Sequence, residues 1–207
     1  MGPGFWDERY GGEEFAYGTA PNDFLAANVG YLPAGGRILL PGDGEGRNSV
    51  WLAEQGFHAT AVDFSAAGLD KARALAAERG VTIDTVHADL AEWAWPEGEY
   101  DGVVAIFCHL PPEHRFRIHR AMLAALRPGG RLLLEAYRPE QLDYRTGGPP
   151  VAEMLYGREA IEADFAAARI LGLTEAVRPV HEGRYHHGEG AVIQLVAERT
   201  GEAPPPD

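Results

Sequence analysis

Short apolar runs alternate along the chain with longer stretches of helical periodicity, a pattern typical of a parallel sheet covered by helices on both faces. The run within Tyr100–Cys108 is nearly all apolar, as expected of a central strand buried on both sides. Strands are predicted at residues 37–40, 58–63, 81–87, 100–108, 131–136, 175–180 and 191–198. The predicted fold class is α/β, a doubly wound, Rossmann-like sheet of seven strands.

The segments between these runs predict the helices and the last turn. Helices are predicted at residues 48–55, 65–79, 112–126 and 158–171. In the third of these, Phe116, Met122, Leu123 and Leu126 are predicted to form one apolar stripe. The glycine-bounded link Gly183–Gly190 predicts an antiparallel hairpin of the last two strands. Residues 1–200 are predicted to form a single domain, and residues 201–207, with three prolines, a flexible tail.

Composition narrows the possible partners. Hydrophobic residues make up 45% of the chain, enough for a core, and 18 basic against 31 acidic side chains give a net charge of -13. Such a charge disfavours nucleic acid and anionic membranes as partners. No apolar run approaches the ~20 residues that span a bilayer, and the N-terminus lacks a signal-peptide stretch, so a cytoplasmic protein is expected. The single cysteine, Cys108, excludes internal disulfides.

A glycine loop follows the first strand and precedes a helix. Gly42, Gly44 and Gly46 alternate there with Asp43 and Glu45. Glycines without a Cβ let the backbone approach a ligand at the start of the helix. The same residues also suit an ordinary tight turn, so the loop alone is a weak signal.

A nicotinamide dinucleotide site is a second interpretation of this loop. The dinucleotide pattern Gly-x-Gly-x-x-Gly needs a third glycine, which would fall at Arg47 or at Ser49 in the two possible registers. Neither register fits, so the sequence disfavours a dinucleotide.

Acidic residues follow the second and third strands. Asp63 ends the second strand, where a carboxylate can accept hydrogen bonds from both ribose hydroxyls, and Phe64 and Ser65 follow it as further cofactor contacts. Asp63 could instead cap the next helix, a role that Ser65 could also serve. Asp89 is placed to accept from an adenine amino group while Leu90 packs on the ring; otherwise Asp89 is an exposed loop residue.

Five segments together resemble the successive motifs of class I S-adenosylmethionine-dependent methyltransferases, in that family's order and spacing: Ile38–Gly46, Ala61–Asp63, Ala88–Leu90, Tyr100–Asp101 and Leu126–Gly130. The resemblance implies S-adenosylmethionine as cofactor, S-adenosylhomocysteine as product, and an antiparallel strand inserted near the end of the sheet. One position departs from the family, because Leu40 stands where an acidic residue is common. Asp43 is the candidate to bind the cofactor's amino group instead.

The N-terminal segment indicates one group within this family. Trp6–Tyr10 and Tyr17–Asn22, with Gly44–Asn48, resemble the small bacterial tellurite-resistance and thiol methyltransferase group. This implies that residues 1–35 cap the cofactor site, with Trp6, Tyr10 and Tyr17 walling its methionine end. Ordinary aromatic packing is the alternative for each ring.

The acceptor is expected to be a small molecule, and a thiol or an oxyanion of selenium or tellurium fits the resemblance. Phe107 and His109 leave the fourth strand at its carboxyl end, where ligands bind in open α/β sheets. His109 is a candidate base, or it only hydrogen-bonds the loop. Cys108 is expected to be a buried, unreactive residue.

Three late histidines, His181, His186 and His187, invite a metal site, but no carboxylate or cysteine spacing completes a ligand set, so no metal is predicted. Of these, His186 is the candidate to face the pocket as a base or substrate contact. The long connection 138–157 is a candidate lid in which Tyr144 would meet the substrate. Arg138, Arg145 and Arg184 are candidates to bind an anionic acceptor.

Two other functions stay open at this point. A nicotinamide-dependent oxidoreductase is disfavoured by the glycine spacing and by the predicted hairpin. A sensor or partner-binding protein that binds S-adenosylmethionine without turnover is not excluded, because methyl transfer needs no fixed catalytic residue.

Overall fold

The computed structural model describes residues 3–201, which contain a seven-stranded sheet in the order β3-β2-β1-β4-β5-β7-β6. The strands are β1 Arg37–Pro41, β2 His58–Asp63, β3 Asp84–His87, β4 Tyr100–Ile106, β5 Leu126–Tyr137, β6 Ala168–Glu182 and β7 His186–Arg199. β1 to β5 are parallel, and β7 lies antiparallel between β5 and β6. The predicted α/β fold and the inserted antiparallel strand are confirmed.

Helices cover both faces of the sheet. They are α1 Pro3–Tyr10, α2 Asp23–Asn28, α3 Arg47–Glu54, α4 Ala66–Glu78, α5 Pro112–Ala125, α6 Gln141–Tyr144 and α7 Arg158–Asp164, with short 3₁₀ turns at Val29–Tyr31 and Ala152–Met154. Ser65 caps α4, since its hydroxyl oxygen accepts a hydrogen bond from the Gly68 N–H over 3.1 Å. Within residues 3–201, none of these helices has the length and apolar character required to cross a bilayer.

The core divides according to the strand period of two. In β1 and β4, Leu39 and Val103 point to the face covered by α5 and α7, whereas Leu40 and Val104 point to the face covered by α2 and α3. All four side chains are almost completely buried. The central strands are thus fixed by apolar contacts on both sides, which holds their carboxyl ends in place for a site.

The C-terminal third differs from the predicted boundaries. The helix expected to reach residue 171 ends at Asp164, and the chain from Ala168 onward is already β6. The β6–β7 hairpin is longer than predicted, because Glu182 pairs with His186 and only Gly183–Tyr185 remain as the turn. On α5, Phe116 is exposed, whereas Ile118 takes the buried position. The predicted tail 201–207 lies outside the described residues except for Gly201.

Gly46 holds the glycine loop against α4. It adopts a left-handed φ of 85°, and a Cβ there would lie 2.5 Å from the Cβ of Ala72. Gly56 has almost the same φ, 87°, but nothing lies within 4 Å of its missing Cβ. Comparing substitutions at the two glycines therefore separates the cost of backbone strain from the cost of steric crowding.

We expect Gly46→Ala to lower the free energy of unfolding by about 1–3 kcal/mol more than Gly56→Ala. Both variants strain a left-handed backbone, and only Gly46→Ala overpacks the loop against α4. Urea denaturation of the two variants measures the difference. Equal losses would show that α4 moves aside at no cost, contrary to the packing described.

Candidate functional site

A cavity of about 1190 Å³ opens at the carboxyl ends of the parallel strands. It is large enough for a nucleotide-sized cofactor together with a small second ligand. Eleven of the fourteen predicted site residues line it: Trp6, Tyr17, Gly42, Asp43, Asp63, Phe64, Asp89, Leu90, Phe107, His109 and His186. The other three, Gly44, Gly46 and Ser65, are not among the lining residues.

The glycine loop packs against its own protein. A Cβ at Gly42 would lie 2.8 Å from the sulfur of Cys108, and one at Gly44 would lie 2.6 Å from the hydroxyl oxygen of Tyr10. The φ values of these glycines, 69° and 60°, are in the left-handed region. The loop therefore needs glycine for its turn and for these close contacts, before any ligand is considered.

Asp63 ties the end of β2 to this loop. One carboxylate oxygen accepts from the Gly44 N–H and the other from the Ser65 N–H, each over 2.9 Å. Burial raises the pKa of Asp63, although these backbone hydrogen bonds act in the opposite direction. Each oxygen has lone pairs left to accept from a ribose, so the predicted role is compatible with this geometry.

Asp43 presents a carboxylate oxygen that lacks a partner. Its Oδ2 atom is buried and accepts no hydrogen bond from the described part of the chain. Burial raises the pKa of Asp43 to about 7, against the opposing influence of Ser49 and Arg47. A buried, unpartnered acceptor in a cavity wall is costly unless a ligand donates to it.

Asp89 is exposed at the far end of the cavity. Its side chain accepts from the Ala91 N–H over 2.8 Å, and its carbonyl oxygen accepts from the Trp93 N–H over 2.8 Å. Leu90 is half-buried and packs against the core beside Trp93 and Trp95. This turn fixes both predicted adenine-contacting residues at the cavity edge.

Helix α1 lies over the glycine loop. The rings of Trp6 and Tyr10 stack with their centroids 5.4 Å apart, and Tyr17 lies 6.4 Å from each of them. Arg9 donates to the Tyr17 hydroxyl oxygen over 2.8 Å. The three predicted aromatic residues therefore form one cluster beside the cavity.

Glu45 anchors this N-terminal segment, a role that the sequence did not reveal. Its buried carboxylate accepts from the Ala16 N–H and from Lys71, each over 2.8 Å. Asp7 accepts from the Ser65 hydroxyl over 2.6 Å. Contacts to Glu45 of the glycine loop and to Ser65 thus fix the N-terminal segment that lies over the loop.

His109 is not available as a base, which corrects the candidate catalytic role. Its Nδ1 donates to the carbonyl oxygen of Met154 over 2.8 Å, and its Nε2 accepts from the Tyr137 N–H over 3.2 Å. Burial lowers the pKa of His109 to about 4, so the ring is neutral. With both nitrogens engaged by backbone, His109 fixes the loop after β4.

Tyr156 fixes the same loop and was not predicted. Its hydroxyl accepts from the Leu110 N–H over 2.7 Å and donates to the carbonyl oxygen of Cys108 over 3.1 Å. Burial raises the pKa of the Cys108 thiol to about 12, so the thiol stays protonated. Phe107, at a left-handed φ of 51°, stacks on Tyr137 at 4.4 Å.

His186 is buried and lines the cavity; its neighbour His187 also lines the cavity but is exposed. The His186 ring contacts Tyr17 at 4.6 Å and Phe107 at 4.9 Å. Its Nδ1 lies 3.6 Å from a carboxylate oxygen of Glu182, longer than a normal hydrogen bond but within ion-pair distance, and burial lowers the pKa of His186. Within residues 3–201, no group of three or more histidine, cysteine or acidic side chains is arranged to hold a metal ion.

A buried polar cluster lies behind His186. Its members are Asn22, Arg47, Glu135, Arg178 and Glu182. The Asn22 amide donates to Glu135 over 2.6 Å and to Glu182 over 2.7 Å. Arg47 donates to Glu182, and Arg178 to Glu135, each over 2.6 Å. The one available sequence signal was Glu135, a charge within the otherwise apolar run of β5.

Two of the three arginines proposed for an anionic acceptor line the cavity. Arg145 and Arg184 do so, but Arg138 is paired with Glu175 at 3.2 Å outside the cavity lining. Tyr144 is exposed and does not line the cavity either, although its neighbours in the 138–157 connection do.

The comparisons with known proteins agree with this geometry. Residues 38–130 match a family profile described as a methyltransferase domain. The chain is 28% identical over 122 residues to 2-heptyl-1-hydroxyquinolin-4(1H)-one methyltransferase of Mycobacteroides abscessus, covering 57% of this chain and 54% of that one. It is 28% identical over 157 residues to probable thiol methyltransferase 2 of Arabidopsis thaliana, covering 73% and 67%. The chain thus spans about half the length of the first of these relatives.

A solved structure has a similar fold. TehB from Haemophilus influenzae superposes with a TM-score of 0.69 at 18% identity, covering 96% of this chain and 67% of that chain. The seven-stranded sheet and the cavity at its carboxyl edge define a Rossmann-like fold of the methyltransferase type. The match over residues 38–130, the methyltransferases among the relatives and the shared fold support a class I S-adenosylmethionine-dependent methyltransferase. An oxidoreductase and a sensor without turnover are not favoured.

The buried cluster generates a prediction about stability. Burial opposes the ionisation of Glu182, but His186 and Arg47 outweigh burial and lower its pKa from 4.5 to about 2. A lowered pKa contributes stability above pH 4.5, and this contribution is lost as the pH falls towards 2. Its size is roughly 3 kcal/mol.

The native protein should have a higher free energy of unfolding than Glu182→Gln. We expect this difference to shrink as the pH falls from 5 to 3. Urea denaturation at several pH values measures it. Glu78→Gln, which removes an exposed carboxylate, is the matched control and should show little such trend. A constant difference between the native protein and Glu182→Gln would contradict the role assigned to this carboxylate.

Proposed function

We propose that this protein transfers a methyl group from S-adenosylmethionine to the soft nucleophile of a small molecule, most simply a thiol. The observation that carries the proposal is that one cavity joins the glycine loop and its acidic residues to a second end around His186. The relative named as a thiol methyltransferase supports a sulfur acceptor. Oxyanions of selenium or tellurium are the second candidate class, supported by the resemblance of residues Trp6–Tyr10 and Tyr17–Asn22 to the tellurite-resistance group.

The residues at the loop end fit the cofactor. The unpartnered Oδ2 of Asp43 would accept from the amino group, Asp63 from the ribose hydroxyls, and Asp89 from the adenine amino group. Trp6 and Tyr17 would wall the methionine end. When bound, the cofactor supplies an activated sulfonium methyl group.

The acceptor end contributes alignment more than proton transfer. His109 is engaged by backbone and Cys108 is protonated, which leaves His186 as the side chain we assign to acceptor contact. A thiolate is already charged on arrival, so holding it in line near ~3–3.5 Å of the methyl carbon accounts for much of the rate. His186, whose pKa is lowered by burial, can accept a thiol proton where one must be removed.

The cofactor assignment predicts a selective thermal shift. A ligand at 100 times its dissociation constant stabilises a protein by ~2.7 kcal/mol, which is roughly 5–10 °C for a domain of this size. S-adenosylhomocysteine should raise the melting temperature by this amount, whereas NAD should not. The reverse result would replace the proposal with an oxidoreductase.

Labelled S-adenosylmethionine, offered with thiols, selenite and tellurite, then tests turnover. Methylation of thiols above the other two classes supports the proposal as stated. Binding of S-adenosylhomocysteine without transfer to any acceptor in the panel favours the sensor.

The raised pKa of Asp43 predicts that the affinity for S-adenosylhomocysteine depends on pH. The carboxylate is ionised above its pKa of about 7, and only the ionised form attracts a protonated amino group. We expect affinity to rise from pH 6 to pH 8 in the native protein, and to be about tenfold weaker and flatter with pH in Asp43→Asn.

Isothermal titration calorimetry measures these affinities. Asp84→Asn, on an exposed residue outside the cavity lining, is the matched control and should behave as the native protein does. An Asp43→Asn variant with native affinity and native pH dependence would remove Asp43 from the cofactor site.

A further inference from the structure

The acidic side chains that line the cavity all come from one part of the chain. They are Asp43, Glu45, Asp63 and Asp89, from the glycine loop and from the ends of β2 and β3. The lining contributed by residues 106–187 contains arginines and histidines and, among the described residues, no carboxylate. The lining contributed by residues 106–187 is therefore suited to an anion.

Three arginines that line this cavity lack a carboxylate partner. In the chain from residue 3 to residue 201, Arg9, Arg145 and Arg184 form no salt bridge, although the protein carries a net charge of -13. Arg47 and Arg178, by contrast, are paired with buried glutamates. Unpaired guanidinium groups in an acidic protein are available to bind an anion.

Two of these arginines are held against the same ring. The guanidinium of Arg9 lies 4.2 Å from the ring centroid of Tyr185, and that of Arg184 lies 5.5 Å from it. The hydrogen bond from Arg9 to Tyr17 fixes the first group further. Both cations are therefore oriented before a ligand arrives, which reduces the entropy lost on binding.

Arg145 approaches the same region from the connection after β5. It adopts a left-handed φ of 56°, an uncommon conformation for a residue other than glycine. The carbonyl oxygen of the next residue, Thr146, accepts from the His187 N–H over 3.2 Å, which ties the connection to the β6–β7 hairpin. This contact keeps Arg145 beside the hairpin that carries Arg184.

We propose that the methyl acceptor is an anionic thiol, whose carboxylate is bound by Arg9, Arg145 and Arg184 while its sulfur lies towards His186. The inference rests on the proposed function and narrows its substrate class. The thiol proton leaves to solvent or to His186. The acceptor sulfur then bonds to the methyl carbon, and the electron pair of the broken bond stays on the former sulfonium sulfur as a neutral thioether.

Two thiols of matched shape test the proposal. 3-Mercaptopropionate carries a carboxylate where 3-methylbutane-1-thiol carries an isopropyl group. With labelled cofactor, kcat/KM of the native protein should favour 3-mercaptopropionate by about tenfold or more, the size of one charge-assisted hydrogen bond. A preference for the neutral thiol would overturn the proposal.

Substitution of the arginines tests whether they cause the preference for the anionic thiol. Arg145→Gln and Arg184→Gln should each lower kcat/KM for 3-mercaptopropionate by about tenfold and change it by less than about twofold for the neutral thiol. Arg73→Gln removes an exposed charge outside the cavity lining and should leave both values unchanged. The thermal shift given by S-adenosylhomocysteine confirms that each variant is folded. Equal losses for the two thiols would overturn the proposal.

A binding measurement separates this inference from the proposed function. With S-adenosylhomocysteine present, ligand-observed NMR gives the dissociation constants of 3-(methylthio)propionate and of its neutral analogue isopentyl methyl sulfide. Binding of the carboxylate that is weakened by Arg145→Gln and Arg184→Gln, without any turnover, would support the anion site and refute methyl transfer to thiols. Equal binding of the two thioethers would overturn the anion site whether or not turnover occurs.

Discussion

The site depends on two carboxylates buried behind it. Glu135 and Glu182 lie in strands β5 and β6, and neither could stay ionised in a protein interior without partners. Asn22 donates to both, while Arg47 and Arg178 neutralise one each. Meeting this requirement brings the N-terminal segment, the start of α3 and the β6–β7 hairpin together. These same segments supply Tyr17, the helix after the glycine loop and His186 to the cavity.

The positions of the strands along the chain could largely be predicted from the sequence because apolar runs and helical periods are local properties. The same local signal misplaced the start of β6. The alanines around Ala166–Ala168 favour helix, but the chain from Ala168 pairs with β7, and this non-local pairing outweighs propensity. Phe116 was misassigned for a related reason: being apolar does not place a residue on the buried face of α5, and Ile118 occupies that face.

The candidate site was predictable where one short motif carries the chemistry. Asp63 and Asp89 follow directly from their positions after strands, and both line the cavity. The residues missed act through partners far away in the chain. Glu45 binds Ala16, and Tyr156 binds Leu110 and Cys108, which no local pattern encodes. His109 illustrates the converse, since a histidine at a strand end looks catalytic until its two backbone partners are known.

The β6–β7 hairpin extends beyond the sheet edge, and its tip delivers Arg184, Tyr185 and His186 to the cavity. Side chains alternate along a strand, so one inserted or deleted residue near the tip would move His187 into the buried position that His186 now occupies. Such a change leaves the glycine loop and its acidic residues untouched. With the acceptor role proposed for His186, small changes to this one hairpin would alter acceptor choice, while the glycine loop proposed to bind the cofactor is inherited intact.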